Sequence, residues 1–317
     1  MELKKIYTNE YFGIIVAALY GLIVRISFDE SFFNDVSDVF SITFFVVTPI
    51  IISLLPIILS EDIRKSAIKS FFFPFLAILL FYLLAVITKL EDTFCLLVLG
   101  IPYLLITGTV ALLVRYFLKK DRNNNRLYSI ILLPLILLPI ENSFPDKSEN
   151  YKVSYSLVID RPSAEIFPNL LEVPKLSNIH YQDGLYQFIG IPRPIESKSY
   201  KNDSTFFRIG KFTDGLLLYE TISEMKQNEF VNFKIDLSKS HLRNKPTDNH
   251  ILKGDFFKFN NISYALTPIS IHQTKVELSC EYQLKSKMNF YANFWAQSVI
   301  KDFEKRLLNA IKVKLEE

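Results

Sequence analysis

The sequence has only two cysteines, nine glycines and four histidines among 317 residues, and these shortages exclude several classes of protein. Cys95 lies in an apolar run and Cys280 in an alternating one, so they belong to different regions and no structural disulfide is expected. No cysteine or histidine spacing is typical of a metal site. Phosphate loops, dinucleotide fingerprints and a Ser-His-Asp order are also lacking. We predict no cofactor and no metal.

An excess of one sign of charge is lacking as well. Through Asp146 the chain has 12 Lys and Arg against 13 Asp and Glu, and the remainder has 24 against 20. A nucleic-acid-binding protein would show a clustered basic face. The basic residues here also lack the Gly-rich or aromatic-interleaved setting of RNA-binding modules. Nucleic acid is therefore not expected as a partner.

Long apolar runs fill the first 145 residues. A span of a bilayer core of about 30 Å needs about 20 residues, and soluble helices carry a polar face that these runs lack. The four main runs are Tyr11 to Ile26, Val39 to Leu59, Phe71 to Thr88 and Thr93 to Leu118. Arg25, near the end of the first, is expected to extend to the lipid headgroups. The span interiors hold no ionisable groups, which favours an anchor over a transporter.

A fifth run, Leu127 to Ile140, has 14 residues including two prolines, so it either lies at the interface or crosses in a kinked manner. Residues 1–145 thus form an all-α transmembrane region of four or five helices. The loops after the second and fourth runs are basic and the loop after the first is acidic, which predicts a cytoplasmic N-terminus. We favour a crossing fifth run, which makes the C-terminal domain extracytoplasmic; otherwise it is cytoplasmic. The protein is predicted to be an integral protein of the cell or inner membrane.

Alternating hydrophobicity replaces the apolar runs after Asn150. It predicts strands over 151–160, 204–212, 216–224, 230–237, 251–268 (broken by a turn at 260–261) and 275–285, with a hairpin turn at Asp214-Gly215. A short helix follows the first strand. The segment Asn289 to Glu317 has helical periodicity, with Glu304 assigned to its solvent side. An antiparallel sheet of this size must wrap around one helix to bury its apolar stripe, and a cavity between them can bind a ligand.

These elements in this order resemble the START and polyketide-cyclase (SRPBCC) superfamily, whose helix-grip fold is an α+β domain with a curved antiparallel sheet around a long C-terminal helix. The matching stretches are SLVIDRPSAEIFPNLL, RIGKFTDGLLLYETISEMKQNEFVNFKI, ISYALTPISIHQTKVELSCEYQL and FYANFWAQSVIKDFEKRLLNAIKVKLEE. The resemblance covers residues 151–317 and rests on pattern, not on a catalytic signature. It implies a cavity for a hydrophobic molecule, with GIPRP (190–194) as a loop over its mouth. Some members of the superfamily catalyse cyclisation or hydrolysis, and some act on proteins.

Candidate ligand-binding residues come from the predicted strands and the last helix. Arg208 and Glu220 lie nearly opposite each other across the hairpin. They form either an ion pair in the cavity that orients a ligand head group or, as we favour, a solvated cross-strand pair. Tyr219 and Glu220 face opposite sides, so only one lines the cavity. The full set of candidates is Arg208, Tyr219, Glu220, His250, Tyr282, Phe294 and Trp295.

Two of these groups have competing interpretations. His250, with Asp248 and His241, lies in a polar loop without a third metal ligand at a recognised spacing. On an inward-facing strand, His250 would instead polarise a ligand carbonyl. Phe290, Phe294 and Trp295 are expected to form an aromatic cluster, in the core or lining the cavity.

We therefore predict a membrane-anchored protein that binds a hydrophobic or lipid-like small molecule, with membrane lipids and that ligand as its partners. Two alternatives stay open. One is a membrane-tethered module that binds a protein partner, and the other is an enzyme of the cyclase or hydrolase type. No catalytic residue is assigned, and the identity of the ligand and the oligomeric state stay open.

Overall fold

A computed structural model describes residues 10–27, 41–118, 132–202, 205–253 and 255–317. The chain forms two compact units. The first comprises 1–146 with 286–288, and the second comprises 147–285 with 289–317. Each unit has its own hydrophobic interior.

The first unit is helical. Its helices are α1 (Glu10–Ser27), α2 (Thr43–Leu59, opening with a π-helical turn), α3 (Glu61–Lys65), α4 (Ala67–Ile87), α5 (Thr93–Leu118) and α6 (Leu133–Asn142). Among the described residues, α1, α4 and most of α5 are long and apolar enough to cross a membrane, and α2 is a shorter apolar helix. The start of the fifth apolar run lies outside the described residues, so the five-span arrangement stays a prediction.

Polar contacts fix the directions of these helices. Lys69 near the start of α4 pairs with Glu10 at the start of α1, and Glu91 just beyond α4 pairs with Arg25 near the end of α1. α1 and α4 therefore run in the same direction. Glu141 of α6 accepts hydrogen bonds from the backbone N–H groups of Ile42 (2.6 Å) and Thr43 (2.8 Å). This carboxylate caps the positive end of the α2 dipole.

Arg25 differs from its prediction. Its side chain does not extend outward to headgroups but is buried, 1% exposed, with its Nε 2.5 Å from Glu91 Oε1. The guanidinium also lies 5.9 Å from the ring centre of Phe44. A buried arginine needs such a partner because an isolated charge is costly to desolvate. The apolar run around Arg25 did not show the acidic partner, which is distant in sequence.

The second unit is built on one sheet. Its strands are β1 (Lys147–Ile159), β2 (Pro194–Asn202), β3 (Thr205–Phe212), β4 (Leu217–Lys226), β5 (Phe230–His241), β6 (Phe257–Pro268) and β7 (Thr274–Ser286). The helices are α7 (Ser163–Leu171), α8 (Leu185–Phe188) and α9 (Asn289–Glu316). The sheet is antiparallel with the order β1-β7-β6-β5-β4-β3-β2, so β1 and β2 form its two edges.

The predicted hairpin between β3 and β4 is confirmed. Asp214 (φ 59°) and Gly215 (φ 81°) both adopt left-handed backbone conformations, which Asp tolerates and Gly favours. This turn sets the register in which Arg208 lies opposite Glu220.

Two strand predictions are wrong. The predicted strand 251–268 begins only at Phe257, because the preceding residues form a π-helical turn, Asp248–Lys253. The predicted break at Asn260-Asn261 is a register shift within a continuous β6, which is how a bulge accommodates an extra residue. β2 was not predicted. Its sequence, PIESKSYKN, lacks apolar alternation because it is an edge strand.

The core of the second unit lies between α9 and the sheet. From α9 it takes Leu307, Leu308 and Ile311, and from the sheet Val231, Phe233, Val276 and Leu278, with Ile166 and Leu170 of α7. This sheet-and-helix arrangement is consistent with a helix-grip fold. Burial of these side chains supplies the main stabilisation of the unit.

Candidate ligand-binding site

Glu304 lies in the core between α9 and the sheet, although the helical periodicity predicts a solvent-facing position for it. It precedes Leu307 and Leu308 by three and four residues, which places it on the same helix face. Its side chain is 1% exposed. Among the described residues, neither of its carboxyl oxygens makes a hydrogen bond of normal geometry. This is a buried acid with unsatisfied polar atoms.

Burial raises the pKa of Glu304 to about 8, because a buried carboxylate loses its hydration. The backbone N–H of Cys280 approaches the carboxyl group, outside normal hydrogen-bond geometry, and lowers the pKa of Glu304. Glu277 raises this pKa further and Lys301 lowers it slightly. At neutral pH the uncharged carboxyl group is therefore the dominant form. In that form the group has one O–H donor.

Side chains of β6 and β7 lie within electrostatic range of Glu304. Burial raises the pKa of the Cys280 thiol to about 12, with a smaller contribution from Glu304, so this cysteine is not an activated nucleophile. Burial also raises the pKa of Tyr264 and Tyr282. The hydroxyl of Tyr282 donates a hydrogen bond to Asn293 Oδ1 at 2.7 Å. These groups are neutral at physiological pH.

Arg208 and Glu220 form a buried ion pair on the same side of the sheet as the core. Their exposed fractions are 4% and 5%, so the favoured interpretation of a solvated pair is wrong. Arg208 Nη1 also donates to the backbone oxygen of Leu170 at 2.6 Å, and the guanidinium lies 3.6 Å from the centre of the Phe233 ring. The strand register predicts this pairing but not its burial, because Leu170 of α7 contacts Arg208 from a distant part of the chain.

Two other candidate residues on the sheet, Tyr219 and Tyr282, lie in different environments. Tyr219 faces away from the core, where its ring stacks on Phe207 with centroids 4.7 Å apart. The alternation that separated Tyr219 from Glu220 is therefore observed. Tyr282 points into the unit and is fully buried.

His250 is not on a strand but in the π-helical turn, half-buried. Its neighbour Asp248 binds Arg243 through both carboxylate oxygens, at 3.0 and 2.5 Å. The inward-facing strand position suggested for His250 is therefore wrong. No group of three or more His, Cys, Asp or Glu side chains suited to a metal ion occurs in the described ranges.

The aromatic residues at the start of α9 do not form one buried cluster. Trp295 is buried, but Phe290 and Phe294 are 74% and 61% exposed. At this end of the helix the buried face consists of Ala292 and Trp295, and the two phenylalanines project from the opposite side. Phe294 therefore does not line the core.

Sequence reasoning missed Glu304 because its neighbour Lys305 and the later lysines indicated a polar face. The spacing from Glu304 to Leu308 and Ile311 was the signal that could have found it. Tyr181 was missed for another reason. It lies in an irregular segment, yet it is 1% exposed and its hydroxyl has no hydrogen-bond partner among the described residues.

Comparisons with known proteins give structural likenesses only. No protein-family model and no curated protein matches the chain. Solved structures that match at the C-terminal domain include truncated norcoclaurine synthase from Thalictrum flavum (9% identity, 52% of this chain and 93% of that one, TM-score 0.33). Others are the Zhui aromatase/cyclase from Streptomyces sp. R1128 (9%, 53% and 94%, 0.33) and a major latex-like protein from Panax ginseng (15%, 52% and 97%, 0.31). At these scores they carry no argument about function.

Proposed function

We propose that this chain is a membrane-anchored protein that binds a hydrophobic or lipid-like small molecule between α9 and the sheet of its C-terminal unit. The observation that carries the proposal is the buried, unsatisfied carboxyl group of Glu304. Buried polar atoms in native proteins almost always have a hydrogen-bond partner. A bound molecule supplies that partner here.

The contrast with Arg208 and Glu220 supports this interpretation. That pair is equally buried, but Arg208 binds Glu220 and the Leu170 carbonyl oxygen, so it is stabilised by the fold itself. Glu304 has no comparable partner among the described residues. The described part of the fold thus provides partners for the buried pair of Arg208 and Glu220 but not for the carboxyl group of Glu304. This difference supports a role for Glu304 in binding a ligand.

The N-terminal unit supports the membrane part of the proposal. α1, α4 and α5 each present apolar side chains outward, among them Ile23, Leu79 and Leu105, which are 62%, 56% and 68% exposed. Large exposed apolar surfaces are rare on soluble proteins. Lipid chains would cover these residues.

The directions of the helices support an extracytoplasmic position for the C-terminal domain. Glu141, at the end of α6, caps the start of α2, and Phe44 at the start of α2 lies against Arg25 at the end of α1. The chain therefore leaves α6 at the end of the bundle opposite the start of α1. With the basic N-terminus in the cytoplasm, the domain that follows lies outside it.

The test of ligand binding uses the full-length chain in detergent. Trp295 is the only tryptophan in the sequence, so its fluorescence reports on the C-terminal unit alone. A panel of neutral lipids and apolar small molecules should include at least one that raises the midpoint of the Trp295 unfolding transition in a saturable way. Native mass spectrometry should show that compound bound one to one. A panel without any saturable shift, together with graded nonspecific lipid adducts, would overturn the proposal.

A further inference from the structure

We propose that Glu304, in its uncharged form, donates a hydrogen bond to an acceptor oxygen of the bound molecule, so that the ligand is a neutral hydrophobic compound carrying a carbonyl or ester group. This inference rests on the proposed function, because it specifies the ligand of the same interior site.

The position of Glu304 gives the geometric basis. The carboxyl group lies midway along α9, on the face that packs against the sheet, and is 1% exposed. Neither oxygen is used by a hydrogen bond of normal geometry among the described residues. The group is thus placed to contact a molecule held between helix and sheet, and water has little access to it.

The charged groups around Glu304 favour the uncharged acid. On β7, Glu277 raises the pKa of Glu304 and the backbone of Cys280 lowers it, while Lys301 on α9 gives a smaller stabilisation of the charge. Tyr264 on β6 and Tyr282 on β7 are neutral. The cation of Arg208 is bound by Glu220. Burial exceeds these contributions, and the pKa of Glu304 rises to about 8.

An uncharged carboxylic acid selects among ligand chemistries. Its O–H is a donor, and the complement of a donor is a carbonyl oxygen. A purely hydrocarbon ligand would leave the donor unsatisfied, which weakens binding by several-fold. An anionic head group would find little compensation among the described cations near Glu304, because Arg208 is already bound by Glu220 and Lys301 is exposed on the outer side of the helix. An ammonium ligand would require Glu304 in its charged form.

Two matched probes test the inference on the full-length chain. One is the naphthyl ketone 6-propionyl-2-dimethylaminonaphthalene, which is neutral, apolar and has one carbonyl group. The other is 6-propyl-2-dimethylaminonaphthalene, in which a methylene group replaces the carbonyl group. Energy transfer from Trp295 measures binding of each, and Trp295→Phe gives the background from probe dissolved in detergent.

We expect the wild-type chain at pH 7 to bind the ketone about 3- to 10-fold more tightly than the analogue. Glu304→Leu should remove this preference. Glu304→Gln should keep it, because the amide N–H group also donates. Above pH 8 the preference should fall in the wild type, in which Glu304 ionises, but not in Glu304→Gln.

The outcomes separate the two proposals. If both probes bind and Glu304→Leu keeps the ketone preference, the assignment of Glu304 is wrong and the proposed function stands. Tighter binding of a naphthylalkyl ammonium probe than of the ketone at pH 7 would also overturn it, because it would show an anionic site at the pH at which Glu304 should be uncharged. If neither probe gives saturable energy transfer, the ligand-binding function fails and the inference fails with it. A wild-type Trp295 emission spectrum and a cooperative unfolding transition in each variant show that the variants fold.

Discussion

Glu304 makes the stability of the C-terminal unit depend on pH at the scale of one residue. The ordinary pKa of a glutamic acid is 4.5, and burial raises that of Glu304 to about 8. Between these two values the folded protein retains a proton that the unfolded chain has lost. The stabilisation is complete below pH 4.5, decreases as pH rises and is lost once pH exceeds about 8.

Glu304→Gln removes this ionisation while keeping the size of the side chain. At pH 8.5 the variant should therefore be more stable than the wild type by about 1–3 kcal/mol, because folding of the wild type must then bury a carboxylate or take up a proton, whereas glutamine stays neutral. Near pH 4 the two should differ little. Urea unfolding followed by Trp295 fluorescence measures both free energies of unfolding. Equal stabilities across this pH range would show that Glu304 is not the buried acid described above.

Arg208 and Glu220 give a second prediction for single residues. Arg208→Met leaves the carboxylate of Glu220 buried without its cation and frees the Leu170 carbonyl, so a loss of about 3–5 kcal/mol is expected. The control is Lys226→Met, which breaks the exposed pair with Glu229. That variant should lose less than about 1 kcal/mol in the same Trp295 unfolding measurement. Similar losses for the two variants would contradict the structural role of the buried pair.

The sequence predicted the pairing of residues better than their environment. The Asp214-Gly215 turn fixes the register, so the partnership of Arg208 with Glu220 followed from counting outward along two strands. Burial depends on α7 and α9, which contact the sheet from distant parts of the chain. For the same reason the sequence did not show Glu304 as buried or Phe294 as exposed.

At the scale of elements, Arg243 holds several loops at one end of the sheet. It binds both oxygens of Asp248, donates to the backbone oxygen of Gly190 at 2.9 Å and lies 3.5 Å from Asp214. These contacts join the loop before β2, the β3–β4 turn and the segment before β6. The π-helical turn 248–253 is therefore held by a side-chain pair rather than by strand pairing.

Asp248→Asn should release this segment, because the amide cannot replace the charge bound by Arg243. Trypsin should then cleave after Arg243 and Lys253 at least about 10-fold faster, since local opening lets the protease bind the segment. Asp255→Asn is the matched control, because Asp255 is an exposed residue of the same region that pairs only with Lys258 at 3.1 Å among its described contacts. Cleavage that is unchanged in Asp248→Asn, or equally fast in both variants, would argue against the role of Arg243.

The prediction of elements from the sequence worked where one face is apolar. The strands β3 to β5, β7 and the long helix α9 begin and end close to their predicted positions, because alternation and helical periodicity indicate one buried face. β2 was missed because an edge strand of polar residues has no such pattern. The predicted strand begins too early, before Phe257, for another reason. The ion pair between Arg243 and Asp248 sets the local conformation there, and no strand pattern in the sequence reveals it.

At the scale of the whole molecule, the proposed orientation can be tested by labelling single cysteines. In a chain carrying Cys95→Ser and Cys280→Ala, Lys226→Cys in the exposed end of β4 should react with a membrane-impermeant maleimide on intact cells. Lys4→Cys, which lies outside the described residues, should react only after permeabilisation. Labelling of Lys226→Cys only in permeabilised cells would place the domain in the cytoplasm and show that the fifth apolar run does not cross.

The described sheet has two unpaired edge strands, and these edges affect whether neighbouring copies of the chain associate when both are held in one bilayer. The terminal strands β1 and β2 have no partner on their outer sides within the described sheet, and such strands can template pairing with another chain. Exposed lysines are spaced along both, Lys147 and Lys152 on β1 and Lys198 and Lys201 on β2. Lys147 and Lys152 pair with Glu149 and Glu281, whereas the charges of Lys198 and Lys201 oppose edge-to-edge association through β2, so copies confined to one bilayer should resist pairing through that edge.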